Sequence, residues 1–271
     1  FTEIKNDIDS TIGKKFGIAK DEVRPWHYSD LFFQEVPDID DYDYDKFVED
    51  KDIVSLVKEV YSRMNLDITD ILEKSDLYER KGKNQHAFTI SIDREHDVRV
   101  LENIRPNINS LGTTLHEFGH ALYDKYIDKT LPFVLREPAH IFTTEAVAMF
   151  FERLTRQPEL YEKIISTPKD TLETISPRLT KLLRYQLAIT TRWVITFVFF
   201  EKELYRNPEG DLNTLWYDIV NELQYVSLEE RKPYSDWAAK IHFGSSPVYY
   251  HNYLLGEMLA SQFANYINNN I

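Results

Sequence analysis

The 271-residue chain has no cysteine. That excludes disulfide staples and thiol catalysis and fits a reducing compartment. Glycine is scarce, at 8 residues, and no Gly/Ser-rich linker or internal repeat breaks the sequence, so residues 1–271 read as a single domain. Long apolar runs are also missing. The longest, Trp193 to Phe200, is interrupted by Thr196 and falls far short of the ~20 residues that a membrane span needs. Positive charge is in deficit, with 32 Lys+Arg against 45 Asp+Glu and a net charge of −13. Such a surface disfavours nucleic acid and anionic membrane, which reward basic patches, and mildly favours cationic peptides. No Asn-x-Ser/Thr acceptor occurs, which together with the missing cysteine points to a cytoplasmic home. The start at Phe1, without initiator methionine or signal peptide, reads as that of a trimmed or excised chain. The acidic run from Pro37 to Asp45 lacks the glycine and distal glutamate of a calcium loop and reads as a surface loop.

What the chain does have is helical periodicity. Apolar residues recur at helix spacing over 47–64, 111–127, 143–155, 178–205, 212–224 and 247–267. One stretch alternates as a hairpin does: Ala87 to Ile92, a turn through Asp93–Asp97, then Val98 to Leu101. The expected fold is mostly α, a multi-helix domain with a small β-hairpin.

Chemistry concentrates in the run Thr113-Thr-Leu-His-Glu-Phe-Gly-His-Ala-Leu-Tyr123. In a helix, His116 and His120 are one turn apart on one face, so both imidazoles can reach one metal ion. Glu117 projects about 100° away around the helix. That offset keeps it off the metal and lets it reach a water bound there, as a general base must. Apolar Leu115, Phe118, Ala121 and Leu122 flank the motif, as expected of a buried helix rather than a solvated one. A catalytic zinc takes three protein ligands and leaves the fourth place to water. Asp124 lies a further ~6 Å along the axis, too far for a short side chain, and is assigned to the second shell or to solvent. Glu145 is the better third ligand, in a helix that Thr143 or Thr144 can cap and whose apolar run marks it as buried. The alternative is an exposed first-turn glutamate favoured by the helix dipole.

With the HEFGH motif and a glutamate 25 residues after its second histidine, the chain resembles the gluzincin zinc metallopeptidases. It is similar above all to the angiotensin-converting-enzyme-like peptidyl-dipeptidases, with the thimet-oligopeptidase-like enzymes as near relatives. The resemblance extends to Leu131–Arg136 followed by Thr144-Glu-Ala146, to His86-Ala87 before Ile92-Asp93, and to Ala239-Lys-Ile-His242 followed by Ser245-Ser246 and Tyr249. It implies a zincin-like catalytic domain with one zinc on His116, His120 and Glu145 and with Glu117 as base and proton shuttle. It implies that His86 and Ala87 pair with substrate main chain, that His242 bonds the substrate backbone, and that Lys240 and Tyr249 hold a terminal carboxylate. A tyrosine stabilises the oxyanion in that family, and here Tyr253, or Tyr250 by the oligopeptidase pattern, takes the role.

There are departures from the pattern. The family's carboxylate-gripping glutamine falls near Tyr28, its chloride-linked arginine on His251, and its second-shell aspartate on Met149. The implied activity is release of C-terminal dipeptides from oligopeptides. The alternatives are an oligoendopeptidase, a carboxypeptidase removing single residues, or a non-catalytic zinc-containing module that binds peptides. The resembling enzymes are about twice this length and the chain looks like their zinc-bearing C-terminal half: either a fragment of a longer peptidase, whose expected partner besides an oligopeptide is a missing N-terminal half, or a naturally short form with an open cleft.

Overall fold

The structure, a computed structural model, describes residues 1–227 and 231–270. In order, the elements are α1 (Thr2–Phe16), α2 (Ile53–Arg63), α3 (Thr69–Lys74), β1 (Phe88–Ser91), β2 (Val98–Leu101), α4 (Ile108–Lys125), α5 (Ile141–Glu152), α6 (Pro158–Lys163), α7 (Lys169–Arg206), α8 (Leu212–Gln224), α9 (His242–Ser245) and α10 (His251–Asn270), with short 3-10 turns between some of them. The fold is mostly α with one two-stranded antiparallel sheet, as expected. The chain divides into two compact units. One comprises Tyr42–Thr180 and Leu255–Ile271 and contains the hairpin; the other comprises Phe1–Asp41 and Lys181–Leu254.

In the hairpin unit, α2 starts where the Asp52 carboxylate accepts the Ser55 N–H at 3.1 Å, an N-cap that satisfies one orphan donor of the first turn. The helix therefore begins at Ile53, not at 47 as the apolar spacing suggested; Asp45–Phe47 form a separate 3-10 turn. Its buried residues Ile53, Leu56, Val57, Val60 and Tyr61 fall at i, i+3, i+4, i+7 and i+8, one continuous stripe. That stripe packs on Leu111, Leu115, Phe118 and Leu122 of α4 within one apolar core. At its end the buried Tyr61 hydroxyl donates to the Leu115 carbonyl at 2.6 Å, which fixes α2 against the turn that carries His116. Asn107 caps α4 by accepting the Ser110 N–H at 2.7 Å.

The hairpin pairs Phe88 with Leu101, Thr89 with Val100, Ile90 with Arg99 and Ser91 with Val98. Its turn is organised by Asp93, whose Oδ1 accepts from the N–H groups of Glu95, His96 and Asp97 at 2.8–2.9 Å. Those bonds, with the one from Asp97 the strongest, hold the Asp93 carboxyl down to about 2. The far side of β2 is bridged at Leu101 by Asp76. The far side of β1 pairs with no strand among the described residues.

The second unit is built round aromatic rings. Phe197 and Phe200 of α7 are fully buried with Trp216 and Tyr217 of α8, and Phe197 stacks on Tyr250 with ring centroids 3.9 Å apart. The isoleucines Ile4, Ile8 and Ile12 of α1, spaced one turn apart, complete this core. No helix among the described residues is long and apolar enough to cross a membrane.

Candidate metal centre

His116 and His120 project from one face of α4, with their Nε2 atoms 3.1 Å apart. Glu145 stands on α5 and is 2% exposed; its Oε2 is 3.7 Å from each of those nitrogens. The helix that carries it begins at Ile141 behind His140, so Thr143 and Thr144 lie inside it and neither is the cap that the sequence suggested. Glu145 therefore sits in the second turn with its side chain turned inward, not on an exposed first turn.

The donor set fits zinc on its own chemistry. Donors about 2.0–2.2 Å from a tetrahedral ion stand about 3.3–3.6 Å from one another, and the three observed separations bracket that range. Two imidazoles and a carboxylate are a catalytic zinc combination. Two glycines make the approach possible. A Cβ on Gly119 would lie 2.7 Å from the Ala148 Cα, and one on Gly256 would lie 2.8 Å from the Glu145 Cβ, so a side chain at Gly119 separates the two ligand helices α4 and α5, and one at Gly256 pushes α10 away from α5.

A second layer orients the first. The His116 Nδ1–H donates to the Glu152 carboxylate at 2.7 Å, and the His120 Nδ1–H donates to the Thr144 hydroxyl at 2.7 Å. In these tautomers each Nε2 presents its lone pair to the metal position. Burial is the largest influence on His116 and opposes its charge, but the bond to Glu152 and the charges of Glu152, Glu145 and Glu117 together outweigh it and push the pKa up to about 9. Burial and the neighbouring imidazole push His120 down to about 3.

Glu117 points elsewhere. It is 8% exposed, and burial raises its pKa above the ordinary carboxylate value. The Thr89 hydroxyl on β1 lies 2.8 Å from its carbonyl oxygen and 3.0 Å from Oε2. The hairpin thus holds the carboxylate beside the ligands. Behind α4, the buried Glu102 accepts from the Thr114 hydroxyl at 2.9 Å, and burial pushes its pKa up to about 8.

The remaining residues singled out from the sequence divide by unit. His86 and Ala87 lie just before β1, in the same unit as the ligands. Lys240, His242, Tyr249, Tyr250 and Tyr253 belong to the aromatic unit. There Lys240 donates to the Gln34 side-chain oxygen at 2.6 Å and stands over the Phe32 and Trp193 rings, 4.5 and 5.0 Å from their centroids. Tyr28, where a carboxylate-gripping glutamine was aligned, is buried, with its hydroxyl tied to Asp9 and Lys5; the glutamine beside Lys240 is Gln34. Tyr250 is buried and accepts the Trp193 indole N–H at 2.9 Å. Tyr253 is half-buried, with its hydroxyl 3.4 Å from the His242 Nε2, and the Tyr249 ring packs on that of Tyr253 at 5.3 Å.

Sequence reasoning missed Glu152, Thr144 and Thr89. For Glu152 a signal existed: it lies seven residues, two helical turns, beyond Glu145 and so shares its face. Met149 had left the second shell without an assignment, and Glu152 supplies it.

No curated protein matches the chain. A family model described as Peptidase family M3 matches residues 21–270, a span that includes every residue of the His116–His120–Glu145 cluster. The chain belongs to peptidase family M3, and it is a zinc metallopeptidase of the gluzincin type.

Proposed function

We propose that the chain cleaves oligopeptides with Glu117 as general base and that it releases dipeptides from free C-termini. The observation that carries the base assignment is the position of Glu117: adjacent in sequence to a ligand, buried, and clamped by Thr89 beside three convergent metal donors. His116, His120 and Glu145 would hold the zinc, which would supply Lewis-acid polarisation of the scissile carbonyl and a lowered pKa for a water at the site. Glu117 takes the proton of the attacking water and hands it to the leaving amine. Its raised pKa suits both halves of that transfer, because a base whose conjugate acid is too strong accepts the proton poorly. The unpaired edge of β1 suits a peptide laid alongside as an added strand, with His86 and Ala87 extending that edge.

The roles of the aromatic unit's residues belong to the same proposal. Lys240 with Gln34 and Tyr249 grips the terminal carboxylate, His242 bonds the peptide backbone, and Tyr253 donates to the developing oxyanion. Tyr250 is the weaker candidate for that last role because its hydroxyl is held by Trp193 within the core. One observation favours an oligoendopeptidase instead: the Lys240 ammonium already has Gln34 and two aromatic faces.

Zinc content and mass-spectrometric products decide. A peptide with a free C-terminus and its amide are compared, each beside Glu117→Gln. One zinc per chain, dipeptide release from the free acid only, and a loss of at least about a hundredfold in Glu117→Gln with zinc retained are the expected results. Equal cleavage of acid and amide means an endopeptidase. Near-normal turnover by Glu117→Gln removes that residue from the chemistry.

A further inference from the structure

One turn beyond His120 on α4, Asp124 is partly buried. It lines a cavity of about 360 Å³ together with Thr89 and Ser91 of β1, Arg94 of the hairpin turn, Arg136, and Thr144 of α5. Two of these residues have already appeared: Thr89 holds Glu117 and Thr144 holds His120. The cavity therefore shares its walls with the catalytic site. A peptide laid along β1 sends every second side chain to the same face of the sheet, and the β1 residues Thr89 and Ser91, two apart and so on one face, both line this hollow.

The charges of the cavity are not equally committed. Arg94 pairs with Glu137 and covers the Phe133 ring at 5.0 Å. Arg136 pairs with Glu95 at 2.5 Å and donates to the Leu131 carbonyl at 2.9 Å. Asp124 has no such partner: its carboxylate makes no hydrogen bond or ion pair among the described residues, and the nearby Lys129 ammonium donates to the Asp124 backbone carbonyl instead, at 3.0 Å. Burial pushes the Asp124 carboxyl up to about 6, the charge of Lys129 draws it down, and that of Glu137 pushes it up. A half-buried carboxylate without a partner bears a desolvation cost that an incoming cation relieves. The cavity is roomy enough for an extended lysine or arginine side chain, and both cavity arginines are already neutralised.

We propose that this cavity is a specificity subsite for a lysine or arginine side chain of the peptide substrate, with Asp124 as the recognising carboxylate. This rests on the peptidase reading. The test is a set of peptides identical except for Lys, Arg, Gln, Leu or Glu at each position in turn, given to the zinc-loaded wild type, Asp124→Asn and Asp124→Lys. At one position the wild type prefers Lys and Arg over Gln by about tenfold in kcat/KM, Asp124→Asn flattens that preference, and Asp124→Lys turns it toward Glu. Zinc content and circular dichroism establish that the variants are folded. A flat profile in the wild type, or a Lys/Arg preference that survives in Asp124→Asn, overturns the subsite while leaving the peptidase intact. If the wild type cuts no peptide, the catalytic reading fails, and the subsite is judged on the same series by fluorescence anisotropy with Glu117→Gln. Binding without a Lys/Arg preference, or no binding, overturns it there too.

Discussion

Glu152 shows how a single side chain outside the coordination sphere governs a metal site. Its carboxylate accepts the His116 Nδ1–H at 2.7 Å, and that bond fixes the ring plane, the tautomer and the basicity of the opposite nitrogen together. Desolvation of this half-exposed side chain opposes its charge, yet the bond to His116 and the charges of His116, Arg156 and Arg153 together hold its pKa below the ordinary carboxylate value. The carboxylate therefore stays ionised at neutral pH, where it is needed. Replacing it with a neutral amide of the same shape removes the charge and leaves the packing. Glu152→Gln is expected to weaken zinc binding by about 10–100-fold, measured by competition with a chelator of known affinity. An affinity equal to wild type would mean that the ring is held by packing in α4 and α5 rather than by its partner. Gly119 makes the complementary point. Alanine normally favours a helix over glycine by about 1 kcal/mol, but here its methyl group would meet the Ala148 backbone at 2.7 Å, so packing overrides propensity.

Between elements, the join of β2 to α4 is made by a carboxylic acid. Glu102 follows β2, is 3% exposed, accepts from Thr114 of α4 with one oxygen, and leaves Oε2 without a hydrogen-bond partner among the described residues. Burial, with a smaller push from Glu117 and opposed by Thr114, Lys83 and His116, raises its pKa to about 8. In the unfolded chain the same group titrates near about 4.3. Between those values the folded state holds a proton that the unfolded state has released, so stability falls as pH rises through that window and levels off above it. Glu102→Gln keeps an acceptor for Thr114 and cannot titrate. Its stability relative to wild type should therefore climb from pH 5 to pH 8, by on the order of 3 kcal/mol, as read from urea unfolding at both pH values. A difference that does not change with pH would show that the group is ionised in the folded protein.

What was legible at this scale followed from covalent periodicity. His116 and His120 were readable because a helix repeats every 3.6 residues wherever it occurs, Glu145 because a carboxylate set in a buried apolar helix needs a partner or a metal, and the hairpin emerged within a residue of its expected ends. Helix boundaries were legible only in part: α8 covers 212–224 as expected, but others shifted. The segment expected at 178–205 is a helix from Lys169 to Arg206 that carries Pro177 inside it, and α1 was not anticipated at all. The Thr89–Glu117 and Lys240–Gln34 pairs join segments 28 and 206 residues apart, and no local pattern announces such a meeting.

At the scale of the whole molecule, the described residues form two hydrophobic cores, and the zinc donors draw on only one. His116, His120 and Glu145, their supports Glu152, Thr144 and Thr89, and the glycines that admit them all belong to the unit of Tyr42–Thr180 and Leu255–Ile271. A ligand stabilises the state that binds it by RT ln(1 + [L]/Kd), about 2.7 kcal/mol at a hundred times Kd. That energy raises the cost of every opening that breaks the site and leaves other openings untouched. Amide hydrogen exchange with and without zinc reads the difference segment by segment. Exchange should slow in α2, α4 and α5 by up to about a hundredfold, while α1 and α8, whose side chains pack in the other core, keep their zinc-free rates. Among the described residues, only α7 and α10 run from one unit into the other, so any spread of protection should enter along them, appearing first in α7 beyond Lys181. Equal slowing in α1 and α8 would contradict separate opening; the two cores would then unfold as one cooperative block, and zinc bound in one would stabilise the entire chain.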